Sequence, residues 1–322
     1  MKVSTAPSPY ASSDANPIAS AKRVRAAPPV DPRLVNSPLR KPKKNYDSKD
    51  ASEVPSLRFD DEDDDVMQNG AYDNSFSDDE SPGTSPHYHH VEEEVEEEEE
   101  EEEFNPFLFM HGLPPHSTVA VKDKVCLPPS VSQHKIALVL DLDETLVHCT
   151  IDPIPNPDFV FPVTFNDVCY EVYVRKRPYV DYFLQTVCKD FEVIVFTASQ
   201  KVYANKLLDR LDPDLNMVGS RLFREACLGV FGNYIKDLSV LNRDLSQTVL
   251  VDNSPYAYGY QVDNGIPIES WFDDDNDTEL LKLIGFLRCL HNVSDVRPII
   301  RDHFKTFKLI EEAGAMSENY HY

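Results

Sequence analysis

The sequence lacks paired cysteines, although it contains six cysteine residues. None of them belongs to a C-x-x-C pair, and no signal peptide precedes them. We therefore expect reduced thiols, as in a nuclear or cytoplasmic protein, and not a disulfide scaffold. The sequence also lacks an apolar run long enough to cross a bilayer, so no membrane partner is expected.

Positive charge is scarce in part of the N-terminal region. Residues 50–103 contain one basic residue, Arg58, and 23 acidic residues, whereas residues 1–49 contain ten Lys or Arg and three Asp. This acidic tract argues against non-specific nucleic-acid binding, which requires positive charge. Because residues 1–103 also lack helical or strand periodicity, they have too little apolar surface to bury and are expected to form a disordered tail.

The composition changes after this tail. Residues 104–132 begin with an apolar stretch and are interpreted as a linker that docks on a domain. Residues 133–310 contain regular apolar segments and are long enough for one core. Residues 311–322 are expected to form a C-terminal tail.

Strand and helix patterns alternate within the predicted domain. This alternation predicts an α/β fold, in which a Rossmann-like parallel sheet is flanked by helices and carries a small β insertion. Strands are predicted at residues 136–140, 159–165, 169–175, 191–196 and 248–251, and helices at 178–188, 201–211 and 278–289. Residues 222–234 are predicted to form short strands inserted over a crevice.

The most informative segment reads IALVLDLDETLVH, at residues 136–148. An apolar strand is followed by Asp141 and Asp143, and the carboxyl ends of such strands are where ligands bind. Two neighbouring carboxylates repel each other, so they require a shared proton or a cation such as Mg²⁺. One carboxylate could attack phosphorus while the other transfers protons. The alternative is an acidic turn in which Asp143 or Thr145 caps a helix.

Two other predicted strands also end in polar residues. Thr197 and Ser199 follow one strand and Asp252 and Asn253 follow another, while Lys236 lies between them in sequence. Each residue alone has an ordinary explanation, such as a helix cap, a turn or a surface lysine. Together they supply the cation ligands, the hydroxyl donor and the positive charge that phosphoryl transfer requires.

The ordered motifs resemble the haloacid-dehalogenase-type phosphatase superfamily, and specifically the small phosphatases of the RNA polymerase II C-terminal domain. The resemblance covers residues 133–310 and is most similar to the CTD small phosphatase-like protein 2 group. It is carried by DLDETLVH (141–148), VYVRKRP (172–178), FTAS (196–199), RLFRE (221–225), GNYIKDL (232–238), VDNSP (251–255) and SWFD (270–273).

This resemblance implies a Mg²⁺-dependent protein serine/threonine phosphatase. Asp141 would form an aspartyl-phosphate, and Asp143 would protonate the leaving oxygen and then activate water. Thr197 and Lys236 would hold the phosphoryl oxygens. The implied Mg²⁺ ligands are the Asp141 side chain, the Asp143 backbone carbonyl and Asn253, with Asp252 beside the ion.

The resemblance also implies a substrate surface, although two positions differ from the family pattern. Phe231 replaces an arginine that can contact the phosphopeptide, and Gln200 replaces an apolar residue of the pocket. The implied substrate-binding residues are Ser199, Tyr203, Ile151, Val163, Phe165, Val172 and Phe231. We expect a monomer that acts on phosphorylated proteins in the nucleus, the cytoplasm or both.

Two other functions remain open from the residues alone. A small-molecule phosphatase of the same superfamily would normally carry a large cap domain. Only about 50 residues separate Asp143 from Thr197, which leaves room for a small cover. A non-catalytic phosphopeptide-binding scaffold is the other alternative. The presence of all the residues that phosphoryl transfer requires argues against it.

Overall fold

The computed structural model describes residues 104–120, 124, 126–133 and 136–319. The predicted disordered tail, residues 1–103, lies outside the described residues. Within the described ranges, no helix combines the length and the apolar character needed to span a membrane. The helices are α1 Pro106–His111, α2 His116–Val119, α3 Val180–Val187, α4 Lys201–Leu211, α5 Glu279–Arg288, α6 Arg297–Phe304 and α7 Thr306–Asn319.

Ten strands are defined among the described residues. They are β1 Ala137–Leu140, β2 Val147–Thr150, β3 Phe159–Phe165, β4 Val168–Lys176, β5 Glu192–Phe196, β6 Ser220–Leu222, β7 Leu228–Val230, β8 Asn233–Ile235, β9 Thr248–Asp252 and β10 Gly265–Pro267. The main sheet has the order β10-β9-β1-β5-β6, and all of its neighbouring strands are parallel. The predicted parallel sheet is therefore confirmed.

The side chains of β1 show how this sheet builds two cores. Leu138 and Leu140 join a core that includes residues of α3, α4, α5 and α6. Ala137 and Val139 point to the other face, where α1 and α7 pack. Because successive residues of a strand alternate between faces, an apolar run without polar breaks produces a strand that is buried on both sides.

The predicted β insertion is a separate antiparallel sheet with the order β2-β4-β3. Asn166 and Asp167 form the turn between β3 and β4, and both have positive φ angles. Asn and Asp tolerate this conformation, which explains why the hairpin could be predicted from the sequence. The insertion follows β1 directly and therefore lies next to the edge of the main sheet where β1 ends.

The prediction for residues 222–234 was partly wrong. Leu222 belongs to β6, which pairs with β5 as an edge strand of the main sheet, and only β7 and β8 form a separate hairpin. The edge strand β10 was not predicted at all. Both edge strands contain three residues, which is too short to display a period of two.

Helices α1 and α7, near the two ends of the described chain, pack against each other. Phe107 and Met110 of α1 are buried in the same core as Leu309, Ile310 and Ala313 of α7. Helix α7 runs through the predicted boundary at residue 310, so residues 311–319 continue a helix and do not form the predicted tail. The apolar pattern of residues 104–110 thus corresponds to a helix that packs on the domain.

This packing can be tested by shortening one side chain of α1. Phe107 is 2% exposed, and replacing it with Ala should lower the free energy of unfolding by about 3–5 kcal/mol because a buried cavity is left. Leu108→Ala is the matched control, since Leu108 is 39% exposed on the same helix. Urea unfolding of both variants measures the difference. Equal, small losses would show that α1 does not stabilise the domain.

Candidate active site

Three adjacent strands place their polar ends at one edge of the main sheet. Strands β5, β1 and β9 are neighbours, so their carboxyl ends meet. The backbone N–H of Asp141 donates to the Val251 carbonyl at 3.0 Å, which extends the β1–β9 pairing into the site. On the other side, the Thr197 N–H donates to the Leu222 carbonyl at 3.0 Å. The predicted convergence of the three polar strand ends therefore has a direct cause in the sheet.

A tight loop follows Asp141 and presents Asp143. The Leu146 N–H donates to the Leu142 carbonyl at 2.9 Å, and Leu142 is fully buried beneath the loop. Glu144 has a φ angle of 56°, and its carbonyl accepts a hydrogen bond from Trp271 N–H at 2.8 Å. Strand β2 follows this loop, so the alternative of a helix capped by Asp143 or Thr145 is wrong.

Lys236 lies between two buried carboxylates. Its ammonium group contacts Asp141 Oδ1 closely and lies 2.6 Å from Asp252 Oδ2. The backbone N–H of Lys236 donates to the Ala257 carbonyl at 2.8 Å, and this hydrogen bond anchors the segment that contains Lys236. Burial lowers the pKa of Lys236, but the two carboxylates outweigh burial and raise it, so the ammonium stays charged. Burial also raises the pKa of Asp252, against the effect of Lys236.

Asp143 is held by hydroxyl groups. Ser199 Oγ donates to its Oδ2 at 2.7 Å, Thr197 Oγ1 lies 3.5 Å from the same atom, and Tyr203 OH donates to Oδ1 at 2.5 Å. Burial, followed by the negative charge of Glu144, raises the pKa of Asp143 to about 7. A carboxyl group with this pKa can both give and accept a proton near neutral pH.

Asn253 contributes a further oxygen at the end of β9. Its Oδ1 accepts a hydrogen bond from Thr145 Oγ1 at 3.4 Å, and its Nδ2 donates to Ser270 Oγ at 3.0 Å. The amide is therefore oriented with its oxygen toward the loop that follows β1. In the part of the chain that the structure describes, no group of three or more His, Cys, Asp or Glu residues forms a metal centre.

Comparison with known proteins places the chain in a family. Residues 136–297 match the family described as NLI interacting factor-like phosphatase. The chain belongs to this family. The family resemblance that was predicted from the motifs is thereby confirmed, and the NLI interacting factor-like domain contains all the polar strand ends described above.

Two relatives match a longer stretch of the chain than residues 136–297, and a solved structure aligns with it as well. CTD small phosphatase-like protein 2 of Dictyostelium discoideum is 58% identical over 212 residues, covering 66% of this chain and 37% of that protein. CTD small phosphatase-like protein 3 of Caenorhabditis elegans is 49% identical over 218 residues, covering 65% and 76%. A solved structure of the fission yeast RNA polymerase II CTD phosphatase Fcp1, bound to beryllium fluoride, aligns with a TM-score of 0.38 at 20% identity, covering 57% of this chain and 56% of that chain. The chain thus spans less than half of the Dictyostelium relative.

Of the substrate-binding residues that family resemblance predicted, four lie at Asp143 or are at least partly exposed. Ser199 lies at Asp143, and Phe231 is 73% exposed at the tip of the β7–β8 hairpin, with its ring edge-on to Phe109 at 6.4 Å. Ile151 is exposed after β2, and Phe165 is partly exposed at the end of β3.

The other three predicted substrate-binding residues are fully buried. Val163 and Val172 are fully buried in the core between the insertion and the main sheet, so they are corrected to core residues. Tyr203 is also fully buried, and its hydroxyl binds Asp143. The strand alternation of the hairpin turns the two valine side chains inward.

Sequence reasoning missed Arg177. Its guanidinium is 1% exposed, donates to the Thr145 carbonyl at 3.1 Å and binds both carboxylate oxygens of Asp277 at 2.9 and 2.8 Å. This buried pair ties the loop after β1 to the acidic loop before α5. A charged residue next to a proline gave no signal of burial, because arginine is usually exposed.

A second missed contact supports Lys236 from the N-terminal side. His116 Nε2 lies 2.8 Å from Asp237 Oδ2, and Asp237 directly follows Lys236. Asp237 also accepts hydrogen bonds from Ser239 Oγ at 2.7 Å and Gln261 Nε2 at 3.0 Å. Helix α2 therefore contacts the chain directly beside Lys236, an arrangement that no local sequence pattern indicates.

Proposed function

We propose that this protein is a Mg²⁺-dependent protein serine/threonine phosphatase that works through a phosphoaspartate at Asp141. The observation that carries the proposal is the arrangement of Lys236 between Asp141 and Asp252, with Asp143 close by on the same loop. Such an arrangement offers a nucleophile, a fixed positive charge and a separate proton donor. These are the groups that phosphoryl transfer needs.

In the first proposed step, a carboxylate oxygen of Asp141 attacks the phosphorus of phosphoserine or phosphothreonine. The bond from phosphorus to the side-chain oxygen breaks, and Asp143 gives its proton to that oxygen. We propose that Lys236 and the Thr197 hydroxyl bind the phosphoryl oxygens during this step. The products of this step are the free hydroxyl residue and an acyl phosphate on Asp141.

In the second step, Asp143 accepts a proton from water, and the water oxygen attacks phosphorus. The bond from phosphorus to the Asp141 oxygen breaks and inorganic phosphate leaves. Asp143 is then protonated again and ready for another cycle. Its pKa of about 7 suits both directions of proton transfer.

The residues present fit Mg²⁺. Two buried carboxylates, Asp141 and Asp252, face the single charge of Lys236, so an excess of negative charge remains that would attract a cation. We propose that Asp141, the Asp143 backbone carbonyl and Asn253 hold the ion, with Asp252 beside it, because Mg²⁺ prefers a few oxygen ligands together with water and phosphate. When bound, it would neutralise charge on the phosphoryl group.

The proposed substrate is a phosphorylated protein. Only the β2-β4-β3 sheet is inserted between β1 and β5, besides α3, and this small cover leaves a cleft suited to a peptide. Several relatives are named for the RNA polymerase II C-terminal domain. Phe231 and Gln200 differ from the family pattern, so phosphopeptides with and without a proline after the phosphorylated residue are both candidate substrates. We further propose a monomer that acts in the nucleus, the cytoplasm or both.

The proposal predicts a specific pattern of inhibition. Fluoroberyllate copies a phosphoryl group on a carboxylate, so it should inhibit phosphate release from phosphopeptides, and only when Mg²⁺ is present. Full activity at saturating fluoroberyllate would contradict the phosphoaspartate and favour direct attack of water on the substrate.

Phosphoserine and phosphothreonine peptides, with and without a following proline, should be hydrolysed faster than sugar phosphates. The reverse preference would contradict a protein substrate.

A further inference from the structure

Tyr203 contacts Asp143, an arrangement that the family resemblance did not indicate. The side chain is fully buried, so it cannot contact a substrate in the cleft. Its hydroxyl donates to Asp143 Oδ1 at 2.5 Å, while Ser199 Oγ donates to Asp143 Oδ2 at 2.7 Å. Both oxygens of the carboxyl group are therefore bound by hydroxyls from one short segment, residues 197–203.

The ring of Tyr203 is itself held in place. It lies in the first turn of α4, where the Tyr203 N–H donates to the Gln200 carbonyl at 3.1 Å. The ring packs parallel to that of Phe161, with centroids 6.3 Å apart and an interplanar angle of 12°. Phe161 belongs to β3 of the insertion and is itself buried. The insertion thus reaches the Asp143 carboxyl through two stacked rings.

We propose that Tyr203 is a positioning residue that fixes the orientation of the Asp143 carboxyl group, and that the insertion contributes to the chemistry through the contact between Phe161 and Tyr203. The inference rests on the proposed function, in which Asp143 protonates the leaving oxygen. Proton transfer depends on the direction of the donor, so a carboxyl group that rotates freely would lose part of its effect. A carboxyl group held at both oxygens does not rotate freely.

The consequence can be measured through the leaving group. A seryl oxygen is strongly basic and needs a proton as its bond to phosphorus breaks, whereas a nitrophenolate is weakly basic and leaves without one. The kcat/KM value reports the steps up to formation of the acyl phosphate on Asp141. Loss of proton donation should therefore lower kcat/KM for a phosphoserine peptide much more than for p-nitrophenyl phosphate.

The test variant is Tyr203→Phe, which removes the hydroxyl and keeps the ring against Phe161. We expect kcat/KM for the phosphoserine peptide to fall about 10-fold or more, and that for p-nitrophenyl phosphate to fall about 2-fold or less. The matched control is Tyr173→Phe, because the Tyr173 hydroxyl donates to the exposed carboxylate of Glu171 in the insertion, at 3.3 Å. This control should leave both values unchanged.

A second variant guards against a folding defect in the first. Phe161→Leu keeps the Tyr203 hydroxyl and removes the stacked ring, and it should show the same preference for p-nitrophenyl phosphate to a smaller degree. Equal losses with both substrates in Tyr203→Phe, or no loss with either, would overturn the positioning role while leaving the proposed function intact. Wild-type protein that hydrolyses neither substrate would instead overturn the proposed function, and this inference with it.

Discussion

Replacing Asp141 with Asn should reduce kcat for a phosphoserine peptide by about 10⁴-fold or more, the scale seen when an essential nucleophile is removed. The amide has nearly the shape of the carboxylate, but it cannot form an acyl phosphate. Rapid quenching of the reaction with a ³²P-labelled phosphopeptide should leave label on the wild-type protein. No label should appear on the variant.

The fold of this variant should be preserved. Lys236 keeps Asp252 as a partner, and the new amide introduces no steric strain because its size matches that of the carboxylate it replaces. We therefore expect the free energy of unfolding to change by about 1 kcal/mol or less. Asp209→Asn is the matched control, since Asp209 pairs with Arg221 at the surface. Phosphatase activity retained in Asp141→Asn would refute the assignment of the nucleophile.

Replacing Lys236 with Ala should have two large effects. First, kcat for the phosphopeptide should fall about 10²- to 10³-fold, because a preorganised charge for the phosphoryl oxygens is lost. Second, the free energy of unfolding should fall by about 3–5 kcal/mol, because Asp141 and Asp252 lose their buried cation. Peptide hydrolysis and urea unfolding measure the two effects separately.

Mg²⁺ should partly restore the stability of this variant. The ion would replace the missing positive charge between the carboxylates, so the midpoint of thermal unfolding should rise more with Mg²⁺ in Lys236→Ala than in the wild type. Lys206→Ala is the matched control, because the Lys206 ammonium binds the Pro162 carbonyl at an exposed position. If Lys236→Ala hydrolysed the phosphopeptide at the wild-type rate, Lys236 would have a structural role only.

Much of the main sheet could be predicted from the sequence because its central strands are buried on both faces. Continuous apolar runs identify β1, β5 and β9, and the polar residues that follow them identify the edge where ligands bind. The edge strands β6 and β10 could not be predicted in the same way. Three residues show no period, and their pairing depends on neighbours that are distant in the chain.

The site was predictable in its chemistry but not in its supporting contacts. Asp141, Lys236 and Asp252 come together as expected, since each lies at the end of a strand or next to one. The buried positions of Tyr203 and Arg177 depend on how the insertion and the acidic loop pack on the main sheet. Such long-range packing leaves no trace in local sequence patterns, and family resemblance alone assigned Tyr203 to the substrate.

The contact between His116 and Asp237 has a mechanical consequence. Helix α2 lies just after α1 in the chain, and the aspartate it touches is the next residue after the active-site ammonium. The position of the segment that carries Lys236 is therefore coupled, through the His116–Asp237 contact, to the helices that precede β1 in the chain.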